Sequence, residues 1–423
     1  MNNIRAIIAD DHTGAADSGI HFAKAGRRTS LLLDHSEIND RLPRLNAIAL
    51  STESRFMTPK AAAAQVRDTI EQCKGAGVNR FFKKVDSTMR GNPGSEIAAA
   101  LEATGCRSAL VCTAMPETGR TCVDGVILLD GVPLHTTHFG RDPFHPLSTS
   151  TISQLLDSQC NLPTERLSLD DLRGPADRLA AQVRRLMDQG CRLLIADAVG
   201  TTDMRILGGL LHNMPEILPV GAAGLARALA WAGRNGKEDT EPVQTMNSGP
   251  RKGNILAIIG SLAGVSRNQA DIACAEGRFR VLDLDPDAAS TCLKSECTRL
   301  VRTAKKNVHS NLLLKSKELL GQQKKTGIDG ERVAGILGHA AKTIFQSTPY
   351  DIIFSTGGNT SMAVAKAMDI KSVSLIEELM PGVVLGSCEV PHFGQRWFIT
   401  KAGGFGGSSL LVDIADRFAC TCE

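Results

Sequence analysis

The segment Arg80-Phe81-Phe82-Lys83-Lys84-Val85-Asp86-Ser87-Thr88-Met89-Arg90-Gly91-Asn92 gathers two lysines, an aspartate, hydroxyls and an arginine behind a short strand-like run. Such a strand end suits a small anion, because ligands of α/β proteins collect at the carboxyl ends of strands, where helix N-termini add their dipoles to side-chain charge. Pro93-Gly94-Ser95-Glu96 then opens an Ala-rich helix expected to reach residue 103. At the N-terminus an apolar strand over 5–9 runs into Asp10-Asp11-His12-Thr13-Gly14-Ala15-Ala16-Asp17, ahead of a helix expected to end near residue 24. Two adjacent carboxylates at that point can bind the hydroxyls of a polyol, hold a divalent metal, take a proton from an attacking hydroxyl, or cap the helix. A further strand over 47–50 ends in Ser51-Thr52-Glu53-Ser54-Arg55. The planar fork of an arginine there can donate two parallel hydrogen bonds to a carboxylate.

These residues need a scaffold that brings several strand ends to one rim. Strand and helix signals alternate over 28–34, 59–75, 109–115, 175–189, 192–198 and 217–231. That rhythm predicts an α/β fold with a doubly wound, mostly parallel sheet. Residues 126–134, with Asp130-Gly131 between apolar runs, predict a hairpin on the edge of that sheet. The composition changes to Gly, Asn, Pro, Ser and mixed charge over 233–254, which is read as a linker. The chain is thus divided into a domain over 1–232, a linker over 233–254 and a second α/β domain over 255–423.

In the second domain the strand ends carry glycine and hydroxyls instead of charge. The strand at 351–354 runs into Ser355-Thr356-Gly357-Gly358-Asn359-Thr360-Ser361, and that at 397–400 into Lys401-Ala402-Gly403-Gly404-Phe405-Gly406-Gly407-Ser408-Ser409. A strand at 255–259 meets Gly260-Ser261-Leu262-Ala263-Gly264-Val265-Ser266, and another short strand is expected at 373–375. Glycines let the backbone approach a polyphosphate, whose oxygens then accept from amides at a helix N-terminus. Three such loops in one domain point to a nucleotide. Neither GxxxxGK[ST] nor a strand-linked GxGxxG is present, so the P-loop and the dinucleotide fingerprint are not the device used.

Composition narrows the function class. A length of 423 residues exceeds what one core usually holds, in line with two domains. A net charge of +3 with 22% charged residues argues against general nucleic-acid affinity. At 4% aromatic, the chain lacks a stacking platform for single strands. No apolar run approaches the roughly 20 residues that span a bilayer, so no membrane partner is expected. The 12 cysteines include no CxxC pair and follow no leader, which predicts reduced thiols in a cytoplasmic protein. Between 299 and 325, eight basic residues accompany one acidic residue, Glu318, and are expected on a solvated helix face and loop. His135, His138 and His145 have Thr, Pro and Phe among them and are assigned to a loop or hairpin instead of a zinc site.

The chain resembles the four-carbon acid sugar kinases, bacterial enzymes that use ATP to phosphorylate D-threonate, D-erythronate or 3-oxo-tetronates at the terminal hydroxyl. The likeness covers nearly the whole chain. It runs through Ala9-Asp10-Asp11-His12-Thr13-Gly14-Ala15, the 83–92 segment, Pro116-Glu117-Thr118-Gly119-Arg120-Thr121-Cys122-Val123-Asp124-Gly125, Gly357-Gly358-Asn359-Thr360, Pro381-Gly382-Val383-Val384-Leu385-Gly386 and Lys401-Ala402-Gly403-Gly404-Phe405-Gly406. It implies a sugar-acid-binding N-terminal domain, a nucleotide-binding C-terminal domain and a cleft between them. By this resemblance Asp11, Arg55, Lys83, Lys84, Val85, Asp86 and Ser87 bind the acid, and Ser261, Gly357, Gly358, Asn359, Thr360 and Gly403 bind ATP.

Two positions depart from the family pattern. Leucine is common where His12 stands, and an acidic residue is frequent where Asn359 stands, so a neutral amide there weakens position 359 as a magnesium ligand. Ser266 matches its loop only loosely. The expected reaction is ATP-dependent phosphorylation of D-threonate to its 4-phosphate, with D-erythronate or 3-oxo-tetronate as alternatives and a non-catalytic sugar-acid sensor as the rival of another class. Asp86 or Asp11 is the expected base, Arg55 and one of Lys83 or Lys84 hold the acid, and Mg2+ accompanies ATP with its protein ligands unassigned. A homodimer is left open.

Overall fold

Residues 5–141, 146–232, 252–260, 264–317, 330–348 and 350–419 are described in this computed structural model. The chain divides into two compact units, Met1–Ser30 with His35–Val243, and Leu31–Asp34 with Gln244–Glu423. Of the expected linker, residues 233–251 lie outside the described residues.

The strands of the first part of the chain are β1 (Arg5–Ala9), β2 (Thr29–Leu32), β3 (Ala47–Ser51), β4 (Arg80–Lys84), β5 (Ser108–Cys112), β6 (Arg120–Val123), β7 (Val126–Leu129), β8 (Val132–Pro133), β9 (Thr164–Leu167), β10 (Leu193–Ala196) and β11 (Ile217–Gly221). The sheet of the first unit runs β3-β1-β4-β11-β5-β10-β9, and each of these neighbours pairs in parallel. Apolar runs such as Arg5–Ala9 and Ser108–Cys112 are buried throughout, as strands covered on both faces must be. Helices His12–Lys24 and Ala223–Trp231 pack on each other, and so do Pro59–Gly75 and Pro93–Thr104. Full burial of side chains such as Ile7, Ile8 and Phe82 stabilises by about 1.5–3 kcal/mol each.

Register aligns the strand ends. Ala9 sits opposite Ser51 and Lys84, and Gly221 lies opposite both Lys84 and Cys112. Everything that follows these residues therefore emerges at one rim. The helices after them start there for local reasons: Asp11 accepts the Gly14 N–H at 2.8 Å, and Pro59 and Pro93 stand at helix starts where no N–H is needed.

The second unit contributes β12 (Ile255–Ile259), β13 (Arg280–Leu284), β14 (Leu312–Ser316), β15 (Ile352–Thr356), β16 (Ser372–Met380), β17 (Val383–Val390) and β18 (Gly394–Lys401). Their order is β13-β14-β12-β15-β18-β17-β16, parallel as far as β18 and antiparallel through β17 and β16. Ile259, Thr356 and Lys401 are in register, so the glycine-rich loops after them share a rim.

Three expectations are corrected. The basic stretch is not only a helix face and a loop: Leu312-Leu313-Leu314 is fully buried in β14 between β13 and β12, a run too short to stand out among its lysines. The 126–134 hairpin exists, with Asp130 and Gly131 at φ 50° and 81°, but it joins β6 in a separate three-stranded sheet instead of the edge of the large one. The short strand at 373–375 is the start of the nine-residue β16, whose outer half carries the exposed-type pair Glu377-Glu378 that masks a strand signal.

Candidate functional site

At the rim of the first unit Arg55 joins the two aspartates. Its Nε and Nη2 donate to Asp10 at 2.7 and 2.9 Å, a bidentate pair, and Nη1 donates to Asp11 at 2.8 Å. Asp11 also accepts from the Gly14 amide and, at 3.0 Å, from the Thr13 hydroxyl. Capping and charge pairing therefore fall on the same carboxylate, Asp11, whereas of these two tasks Asp10 has only the pairing with Arg55. Burial pushes the Asp11 carboxyl up, but Arg55 and Lys84 outweigh it, with help from Gly14 and Thr13, and hold it below the ordinary carboxylate range.

Asp86 is gripped by Arg90, whose Nε and Nη2 donate at 2.8 and 3.0 Å, and by the Thr88 hydroxyl and amide. The turn that makes this possible places Met89 at φ 59° and Gly91 at φ 86°. Burial raises Asp86, yet Arg90, Arg55 and Lys84 together hold it well below the usual range.

Lys83 and Lys84 are consecutive on β4, so they point to opposite faces of the sheet. Lys83 is 1% exposed, pairs with the equally buried Glu96 at 2.7 Å and donates to the Lys84 carbonyl at 2.8 Å. Ser54 donates to the other Glu96 oxygen at 2.7 Å, and burial raises the Glu96 carboxyl. Lys84 lies on the face of helix His12–Lys24, close enough that a Cβ on Gly14 would stand 3.2 Å from its Nζ. It donates to the Val85 carbonyl at 2.8 Å and acts on both Asp11 and Asp86. Val85 is held by its N–H to the Gly221 carbonyl at 3.0 Å, and the buried Ser87 has no side-chain partner among the described residues.

The structure thus brings Asp11, Arg55, Lys84, Val85, Asp86 and Ser87 to one rim and turns Lys83 away from it. It adds residues without an assigned role in the sequence reading. Asp10, Thr88 and Arg90 fix the charged side chains, and Arg120, half-buried on β6, acts on Asp86. The Thr113 hydroxyl after β5 and both ring nitrogens of His12 are buried without a hydrogen-bond partner among the described residues. Burial lowers the His12 imidazole to about 4, against the pull of Asp11. His135 bonds Ser150 at 2.8 Å and His138 lies against Phe139, while His145 lies outside the described residues.

In the second unit the rim is built from backbone. Gly357 caps helix Gly358–Ala367 at φ 91°, a conformation that favours glycine, and its N–H donates to the Lys401 carbonyl at 3.0 Å. Gly260 passes so close to Thr360 that a Cβ there would lie 1.9 Å from its hydroxyl. Gly358, Asn359 and Thr360 therefore present helix-start amides beside the Gly403 loop. Ser261 lies outside the described residues. Lys401 is fully buried and, with burial as the cause, lowered to about 8.

A resident magnesium is not favoured by these donors. Asp10, Asp11 and Asp86 are each paired with an arginine, and residues 264–268, 357–361 and 402–409 contain no carboxylate, whereas Mg2+ sites use one or two carboxylates beside phosphate and water. No helix among the described residues is long and apolar enough to cross a membrane.

Residues 5–229 match a family model described as a sugar-binding N-terminal domain, and residues 256–411 match a nucleotide-binding C-terminal domain. The chain is 31% identical to D-threonate kinase of Salmonella typhimurium, over 96% of each chain. It is 27% identical to 3-oxo-tetronate kinase of Pseudomonas fluorescens, over 97% of this chain and 96% of that one. A solved structure of a Salmonella typhimurium LT2 protein superposes with a TM-score of 0.77 at 21% identity, over 98% of this chain and 99% of that chain, and so shares its fold.

Proposed function

Because the chain belongs to the four-carbon acid sugar kinase family, we propose that it transfers the γ-phosphoryl group of ATP to the terminal hydroxyl of a four-carbon sugar acid. D-threonate is the first candidate, giving the 4-phosphate, and D-erythronate or a 3-oxo-tetronate is the alternative. The first unit is assigned to the acid and the second to the nucleotide.

Lys84 carries this reading. It is a lysine with protons left to donate, set between Asp11 and Asp86 at a rim of fixed charge. A sugar acid offers a carboxylate for Lys84 and for the remaining N–H groups of Arg55, and hydroxyls for Asp11, Asp86 and Ser87. The C4 hydroxyl attacks the γ-phosphorus in line, from about 3–3.5 Å. Asp86, held as a carboxylate by Arg90, accepts from that hydroxyl and orients it. A depressed pKa makes Asp86 a weak free base, but in a loose transition state orientation and charge neutralisation matter more than proton abstraction. Asp11 is the second acceptor. The glycine-loop amides hold the phosphates, and magnesium, as part of the nucleotide substrate, would supply charge neutralisation there.

The test is an assay of ADP release with purified protein, ATP, magnesium and a panel of D-threonate, D-erythronate and 3-oxo-tetronates. Turnover should appear with one tetronate well above the others. Tight binding of a tetronate without turnover of any would replace the kinase with a sensor.

A further inference from the structure

The loop after β18 has its carbonyls gathered on one side. Lys401 Nζ donates to the Ala402 and Gly403 carbonyls at 3.2 and 3.0 Å and to the Ser266 hydroxyl at 3.0 Å, and Ser266 donates to the Gly403 carbonyl at 2.7 Å. The Gln269 side-chain amide lies 3.2, 3.0 and 2.8 Å from the carbonyls of Phe405, Gly406 and Gly407. All three clamping side chains are 1% exposed.

In a planar trans peptide the N–H points opposite to the carbonyl before it. The N–H groups of Gly403, Gly404, Gly406, Gly407 and Ser408 therefore face away from the clamp, and none has an acceptor among the described residues. Glycine at 404 and 407 is required neither by conformation, since φ is not positive there, nor by packing, since a Cβ at either position would meet nothing within 4 Å. What glycine does provide at those positions is close approach from outside. Lys401 itself sits among β15, β18, helix Gly264–Ala275 and its own loop, which offer it hydroxyls and carbonyls and, among the described residues, no charged side chain. A buried ammonium without a counter-ion is costly, and an anion on the outward amides would offset it.

Resting on the kinase reading, we infer that Lys401, Ser266 and Gln269 form a carbonyl clamp that turns the amides of Gly403, Gly404, Gly406, Gly407 and Ser408 outward to receive the phosphates of the nucleotide. Lys401 is its positioning residue and supplies the cradle's positive charge through the loop. The tetronate does not sense it.

The experiment is calorimetric titration of ADP with magnesium into wild type and Lys401→Met, alongside the KM for the acid. Lys401→Met should weaken ADP by about 10- to 100-fold, the scale of removing hydrogen bonds to a charged group, with the acid's KM within about twofold of wild type. Unchanged ADP affinity in a folded Lys401→Met overturns the inference. Should that variant fail to fold, wild type alone decides. ADP affinity should be level below pH 8 and fall above it by up to about tenfold per pH unit, because binding favours the protonated ammonium. A level profile to pH 9.5 overturns the inference equally. Failure of the kinase reading looks different, since wild type would then show no turnover whatever Lys401 does to ADP.

Discussion

The rims of the two units carry their polarity in opposite ways. In the first unit charge is carried by side chains, and almost every charge is already paired: Arg55 with Asp10 and Asp11, Arg90 with Asp86, Lys83 with Glu96. In the second unit the loops carry no carboxylate, and the fixed polarity comes from amides oriented by Gly357, Thr360 and the Lys401 clamp. The difference fits the two ligands proposed for them. A small acid with stereocentres is told from its isomers by donors and acceptors at fixed points, because an unmatched hydroxyl leaves a buried polar group unpaired. A polyphosphate is the same in every nucleotide and needs only a dense, close array of donors.

The largest effect should separate Lys83 from Lys84. Lys83→Met strands Glu96 in the core, so urea unfolding should show a loss of about 3–5 kcal/mol, most of it recovered in the Lys83→Met, Glu96→Leu double variant. Lys84→Met should leave the unfolding midpoint nearly unchanged and raise the KM for the acid. If Lys83→Met raised that KM without loss of stability, Lys83 would belong to the acid site.

Next comes His12. The folded protein keeps its imidazole neutral down to about 4, whereas the unfolded chain protonates it near 6.5. Its contribution is thus complete above pH 6.5 and lost as pH falls through 4, by up to about 3 kcal/mol. His12→Leu should flatten that part of the stability–pH curve. An unchanged slope would show that other groups set it.

Asp86→Asn should fold, bind ADP as wild type does and lose about 100-fold or more in kcat, the scale of removing a positioned acid–base group. Near-normal turnover would pass the orienting role to Asp11.

The smallest effects form a matched pair. A Cβ on Gly14 would stand 2.6 Å from an Asp11 oxygen, and one on Gly260 1.9 Å from the Thr360 hydroxyl. Gly14→Ala should raise the KM for the acid, and Gly260→Ala that for ATP, each by about tenfold, a shift of about 1.4 kcal/mol. Crossed results in steady-state kinetics would break the assignment of ligands to units.

Sequence by itself determined which strands end in charge and which in glycine. Apolar runs such as 5–9, 47–50 and 255–259 are short and bounded by turn residues, and a parallel sheet must align their carboxyl ends. That was enough to place Asp11, Arg55, Lys84 and Asp86 at the rim of the first unit and Gly357 and Gly403 at the rim of the second. It also read the alternation of strand and helix, and it missed β6, β9, β13, β14, β17 and the full length of β16, where charged and polar residues or glycine interrupt the apolar signal. Tertiary structure alone decided how the charges pair. Two neighbouring lysines are equivalent in type, and alternation along β4 says only that they part. It took the helix Pro93–Thr104, bringing Glu96 to one face, to commit Lys83 to the core and leave Lys84 at the rim. The partners of Lys401 and its loop were equally beyond local reading, because Ser266, which meets Lys401, and Gln269, which meets the 405–407 carbonyls, lie more than a hundred residues away in the chain. Hydrophobic pattern and turn residues are local properties, whereas the state of a buried charge is set by whichever distant group the fold places beside it.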